Sequence, residues 1–253
     1  MLRLACLLAA VVAVTADDLL ARFTPRIHTA DDGGTLPYRW YQPNTATADN
    51  KVPLVILLHG TSGRGVDNER QFTAANRAAI TFFFAQHEHP CAIAVPQCPT
   101  DDQWVRTDYH PDRHQRPDFP GRTMALLDGL IHNRMFNETA VDSTRVYVIG
   151  NSMGGYGTWD LISRVRQIAA AVPICGGGDL EGSIRGIHIP TWVFHGAQDP
   201  IVSVEHSRRM VAFIRNLEVD IRYTEFPDAG HDIAERVFST PGLAQWLFAQ
   251  QRP

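Results

Sequence analysis

The chain has 253 residues, enough for one α/β domain whose core needs neither a disulfide nor a metal to hold it. Apolar residues make up 44%, which excludes a disordered chain. Charged residues make up 20% and the net charge is −4, with no Lys/Arg run of five or more, so nucleic-acid or acidic-membrane binding has little electrostatic support.

Residues 1–16 read as a cleavable export signal, leaving residues 17–253 as one domain. Arg3 supplies the positive start, Leu4 to Val14 a short apolar core, and Val14-Thr15-Ala16 a small-residue cleavage site. The apolar stretch is too short to cross a bilayer as a helix, so no stable membrane insertion is expected and the product is expected outside the cytoplasm. Cys6 lies within this segment. Cys91, Cys98 and Cys175 remain, an odd number that describes no disulfide framework, and buried thiols are the expectation. Asn137-Glu138-Thr139 fits an N-glycosylation acceptor.

Beyond the signal, Phe23 to His28 and Tyr38 to Tyr41 read as two strands around the Asp31-Asp32-Gly33-Gly34 turn. Pro53 to Leu58 is a continuous apolar run, as a strand buried on both faces requires. Ala92 to Val95, Arg145 to Ile149, Ala170 to Ile174 and Thr191 to Phe194 repeat that pattern, and Asp220 to Phe226 alternates. Helical spacing falls between them, over Phe72 to Gln86, Thr123 to Phe136, Gly154 to Ser163 and His206 to Leu217, with a last helix near Pro241 to Gln250. Strands alternating with helices imply βαβ units. The expected fold is therefore α/β, a mostly parallel sheet of about eight strands with helices on both faces and an antiparallel first pair. Trp104 to Arg122 fits no element; polar, Pro-rich and broken by aromatics, it reads as a functional insert.

Gly150-Asn151-Ser152-Met153-Gly154 follows the strand ending at Ile149 and opens a Gly-rich helix. G-x-S-x-G in that context is a nucleophile elbow, which lifts the serine hydroxyl above the sheet beside a helix N-terminus. A serine needs a base, and the base an orienting acid, in the chain order Ser, Asp, His for this architecture. Asp199, just past the Thr191–Phe194 strand, and His231, just past the last strand, meet that order at C-terminal strand ends. His195 reads instead as a strand-end histidine bonded to backbone. Asp228, Asp232, Asp179 and Glu181 remain rival acids. The oxyanion of an acyl-transfer intermediate needs two N–H donors. Met153, next after the serine, supplies one, and Thr61 in His59-Gly-Thr-Ser-Gly63 the other. Asp108, His110, Asp112 and His114 could be taken for metal ligands, but the surrounding prolines oppose a helix there; no cofactor or metal is expected.

Leu54-Val-Ile-Leu-Leu-His-Gly60, Pro96-Gln-Cys-Pro99, Ser152-Met-Gly-Gly-Tyr-Gly-Thr-Trp159, Val172-Pro-Ile-Cys-Gly176, Phe194-His-Gly-Ala-Gln-Asp199 and Ala229-Gly-His231 together resemble secreted α/β-hydrolase carboxylesterases related to feruloyl esterases, polyhydroxybutyrate depolymerases and prolyl-oligopeptidase catalytic domains. The resemblance implies an α/β-hydrolase fold, an acyl-serine mechanism on short-chain or aryl esters, triad roles for Ser152, Asp199 and His231, and an oxyanion hole from Thr61 and Met153. It further implies that Trp104 lines the acyl or aryl pocket. A peptidase of the prolyl-oligopeptidase type, disfavoured by the lack of a propeller domain, and a non-catalytic carbohydrate-binding scaffold are the alternatives.

Overall fold

The computed structural model describes residues 15–107, 114–115, 117–180, 187–217 and 219–252. Residues 1–14 of the segment that reads as an export signal, and the Asp108, His110, Asp112 and Glu181 positions, therefore lie outside the described residues. Eight strands form one sheet: β1 (Thr24–Thr29), β2 (Thr35–Tyr41), β3 (Val52–Leu58), β4 (Ala92–Pro96), β5 (Val141–Asn151), β6 (Ala170–Ile174), β7 (Thr191–Gly196) and β8 (Ile221–Phe226). Their lateral order is β1-β2-β4-β3-β5-β6-β7-β8. β1 pairs antiparallel with β2, and β2 with β4; every other pairing is parallel. The mostly parallel eight-stranded sheet with an antiparallel first pair is thus found as the apolar runs imply.

The described helices are α1 (Ala16–Ala21), α2 (Ala74–Phe84), α3 (Arg122–Asn133), α4 (Met153–Arg164), α5 (Glu205–Arg215), α6 (Ala234–Phe238) and α7 (Leu243–Phe248). Side chains alternate across a strand, so β3 serves two cores at once. Leu54, Ile56 and Leu58 pack with Met124 and Leu127 of α3, Trp159 and Ile162 of α4, and Met210 and Ile214 of α5. Val55 and Leu57 pack with Leu19 of α1, Ile80 and Phe83 of α2, Val237 of α6 and Leu247 of α7. Each such apolar side chain contributes roughly 1.5–3 kcal/mol by leaving water. This explains why β3, buried at every residue, reads as an unbroken apolar run.

The chain leaves β3 through α2, on one face, toward β4; it leaves β5 through α4, on the opposite face, toward β6. β3 and β5 are neighbours, so their outgoing loops diverge and leave a crevice at the C-terminal edge of the sheet. Open α/β sheets bind ligands at such a switch point.

Candidate active site

Ser152 stands between β5 and α4 with φ 58° and ψ −120°, an unusual backbone for a residue with a side chain. Its surroundings hold it there. A Cβ on Gly150 would lie 2.0 Å from the Gly154 carbonyl, and one on Gly154 would lie 2.0 Å from the Leu58 carbonyl, so only glycine lets the turn close against β3. The Ser152 N–H donates to the Ile174 carbonyl at 2.8 Å, tying the turn to β6.

The structure brings Ser152, His231 and Asp199 together, although 79 and 32 residues separate them along the chain. His231 Nε2 lies 2.9 Å from Ser152 Oγ, and its Nδ1 lies 2.6 Å from Asp199 Oδ2. Asp199 Oδ1 accepts the N–H groups of Ile201 at 2.8 Å and Val202 at 2.9 Å. Burial alone would raise the Asp199 pKa; hydrogen bonds from His195 and His231 and from the Val202 and Ile201 amides outweigh it and hold the carboxyl well below the usual carboxylate range. Because Asp199 is ionised and only accepts, His231 Nδ1 carries the proton and Nε2 is left to accept from the serine. The rival Asp228 is largely exposed and pairs with Arg236 at 2.9 Å. His195 bonds the Val202 carbonyl, as a strand-end histidine should, but it also meets Asp199.

Thr61 and Met153 share with Ser152 a cleft of about 240 Å³. Met153 opens α4, so its N–H has no carbonyl one turn back to donate to. Gly60 sits against the elbow: a Cβ there would be 3.4 Å from Ser152 Cβ. His59 is fully buried behind it. Its Nε2 accepts the Cys98 N–H at 3.0 Å, so the ring proton sits on Nδ1 and is donated to the Gly60 carbonyl at 2.6 Å. In a trans peptide the C=O and N–H point opposite ways, so fixing the Gly60 carbonyl turns the Thr61 N–H the other way. Burial pushes the His59 pKa down to about 4, which keeps the ring neutral.

Trp104 requires a correction. It does not line the cleft: it is completely buried, its indole N–H donates to the His59 carbonyl at 2.9 Å, and its ring lies 5.1 Å from the His59 ring. A large apolar ring with one donor is best satisfied in a core beside a free carbonyl, which the strand end supplies. The cleft wall consists instead of Tyr156, Ile201, Val202, Ser203 and His206, which sequence reasoning missed. Tyr156 had a usable signal, since it sits one helical turn after Ser152. Ile201 to Ser203 follow Asp199 after Pro200, and Ile201 is 71% exposed. The insert reaches this wall through His114, whose ring lies 5.0 Å from Tyr156. Its far end is anchored on α4, where Arg164, paired with Asp160, donates to the Pro117 and Asp118 carbonyls.

Cys91, Cys98 and Cys175 are free and buried, as expected of thiols at strand ends. Cys175, His195 and Asp199 offer atoms within 4.8 Å of one another that could ligate a metal ion. The set fits a metal poorly: burial raises the Cys175 pKa first, and the Asp199 charge raises it further, so the thiol keeps its proton, while both Asp199 oxygens already accept hydrogen bonds. No helix among the described residues is long and apolar enough to cross a membrane.

The strand order and the nucleophile elbow are those of an α/β-hydrolase. More particularly, residues 113–248 match the family model described as PETase, PET hydrolase-like, and the chain belongs to that family. Cutinase est2 of Thermobifida alba is 36% identical over 110 residues, 42% of this chain and 36% of the cutinase. Cutinase est1 of the same organism is 31% identical over 137 residues, 52% of this chain and 46% of that protein. The matched stretches therefore span less than half the length of these two relatives. A thermostable esterase of known crystal structure superposes with a TM-score of 0.81 at 34% identity, over 92% of this chain and 64% of its own. An acylaminoacyl peptidase of Pyrococcus horikoshii, at 13% identity and a TM-score of 0.61 over 90% of this chain and 41% of its own, shares the fold alone.

Proposed function

We propose that this protein is a serine carboxylic-ester hydrolase in which Ser152 is the nucleophile, His231 the general base and acid, and Asp199 the acid that orients it. The observation that carries this reading is the continuous hydrogen-bonded path from Asp199 through His231 to Ser152 at the mouth of a cleft. Ser152 Oγ attacks the ester carbonyl carbon while its proton passes to His231 Nε2. The carbonyl oxygen, now negative, is taken up by the N–H groups of Thr61 and Met153, backbone donors that the fold holds beside Ser152. His231 then protonates the leaving alkoxide, and the acyl-serine is cleaved by a water that gives its proton to the same nitrogen. The serine is regenerated with its proton. Asp199 stays ionised throughout.

The cleft has room for a short acyl chain or one aromatic ring, with Ile201 and Val202 as apolar wall and Tyr156 behind it. Short-chain and aryl esters, of the acetyl or feruloyl kind, fit it better than long alkyl chains. The family and the two cutinase relatives support ester chemistry and extend the substrate class to esters presented by a polymer. The export reading of residues 1–16 supports a substrate met outside the cytoplasm.

A fluorophosphonate probe should label wild-type protein at Ser152 and leave Ser152→Ala unlabelled. A panel of p-nitrophenyl acyl esters with methyl ferulate should show acetate to hexanoate and aryl esters cleaved faster than dodecanoate. Labelling elsewhere, or no ester cleaved at all, sinks the reading.

A further inference from the structure

We propose that His195 is a positioning residue for this reaction: a second imidazole that donates from Nε2 to the Asp199 oxygen already bonded to His231, and so governs how firmly Asp199 holds His231. The inference rests on the roles given above to Ser152, His231 and Asp199.

His195 is completely buried near the end of β7. Its Nε2 lies 3.0 Å from the Val202 carbonyl and 3.2 Å from Asp199 Oδ2. Both neighbours can only accept, so Nε2 must carry a proton. Its Nδ1 lies 2.7 Å from Ser207 Oγ, in the first turn of α5. The Ser207 hydroxyl donates to the Gly176 carbonyl at 3.1 Å, which fixes that oxygen against the ring nitrogen. α5 and the Val202 carbonyl thus hold the plane of a ring on β7, and that plane sets the single Nε2 proton between the Val202 carbonyl and the carboxylate.

Asp199 Oδ2 is consequently shared between two imidazoles, His231 at 2.6 Å and His195 at 3.2 Å. The other groups that bear on this centre are Cys175 after β6, which stays a thiol, Glu225 on β8, and Asp232 beside His231. A carboxylate whose charge is divided among several donors attracts each of them less. Removing His195 leaves that charge to His231, which favours the imidazolium and makes the base harder to free at mildly acid pH. It also removes the lateral restraint on the carboxyl group, so a turnover loss without a binding loss follows. A histidine that merely fills space would have neither effect on the pH profile.

The test compares wild type with His195→Leu, His195→Gln and Ser207→Ala, each normalised by active-site titration. In His195→Leu, kcat should fall roughly tenfold with KM changed by less than about threefold, and the acid limb of kcat/KM should move up by about half a pH unit or more. His195→Gln places an amide N–H near the original Nε2 and should return the limb to its wild-type position. Ser207→Ala, a mild change in a helix, should move the limb the same way by less, and it decides the matter if His195→Leu does not fold. Proton NMR of the far-downfield His231 Nδ1–H, titrated without any substrate, should show the same displacement. That readout separates the two claims: a displaced titration in a protein that cleaves no ester would overturn the function and support this inference. Normal ester cleavage with an unmoved limb and titration in both His195→Leu and Ser207→Ala would overturn the inference alone.

Discussion

Ser152, Asp199 and His231 differ sharply from their polar neighbours in how completely their partners are specified. Ser152→Ala should lower kcat by roughly 10⁴- to 10⁶-fold while the melting temperature stays near wild type, because the β-carbon and the strained turn remain. A variant that keeps a tenth of the ester hydrolysis would move the nucleophile elsewhere. Asp199→Asn should cost on the order of 10²-fold or more, since an amide can donate to His231 and so offer it the wrong tautomer. Asp228→Asn should stay within about twofold of wild type, because Asp228 faces solvent and Arg236 rather than His231. Steady-state kinetics on one acetate ester, with folding checked by circular dichroism, decides both; comparable losses would reassign the acid. The motif glycines and the order Ser, Asp, His were enough to nominate these three residues. The sequence counted against Asp228 only by its nearness to His231 in the chain and could not settle the matter, because a side chain's direction depends on where its loop lands.

At the scale of elements, the elbow and the loop after β3 act as one unit. Gly154→Ala would drive a methyl group into the Leu58 carbonyl, a backbone atom that cannot swing away. We expect loss of several kcal/mol or failure to fold, read by urea unfolding, whereas Gly33→Ala, with nothing within 4 Å, should cost only the strain of its φ of 81°. Trp104 belongs to this unit and not to the substrate. Trp104→Phe keeps most of the apolar bulk but removes the donor to the His59 carbonyl, so it should lower kcat/KM for acetate and aryl esters by the same factor. Tyr156→Ala should instead change the ratio between them, because Tyr156 lines the cleft. A Trp104→Phe loss confined to aryl esters would restore the tryptophan to the pocket. The sequence could place Trp104 next to β4 but not say which way its ring turned, since a buried indole and a pocket indole share one local pattern.

For the whole molecule, the acid limit of stability is set by histidines held neutral inside the fold. His59 has its pKa pushed down by burial from the ordinary 6.5 to about 4. Between those values the unfolded chain binds a proton that the folded chain refuses, so stability is full above pH 6.5 and falls as the pH drops toward 4. The loss amounts to roughly 3 kcal/mol. His28, lowered by burial and then by Arg134, acts in the same direction. Asp199, held below its ordinary 3.8, adds a further loss only below that pH. Urea unfolding at pH 7, 5.5 and 4.5 should show the decline, and His59→Asn should flatten part of it; a flat wild-type profile would contradict the buried neutral ring. The sequence by itself determined the sheet, the elbow and the order of the chemistry-bearing loops, because apolar periodicity and glycine placement act within a few residues of chain. Only the tertiary structure decided that Trp104 braces the loop after β3, that Tyr156, Ile201 and His206 wall the cleft, and that His195 shares Asp199 with His231. Those contacts depend on which strands lie side by side and how their outgoing loops diverge, and lateral strand order is a property of the packed sheet that no local pattern encodes.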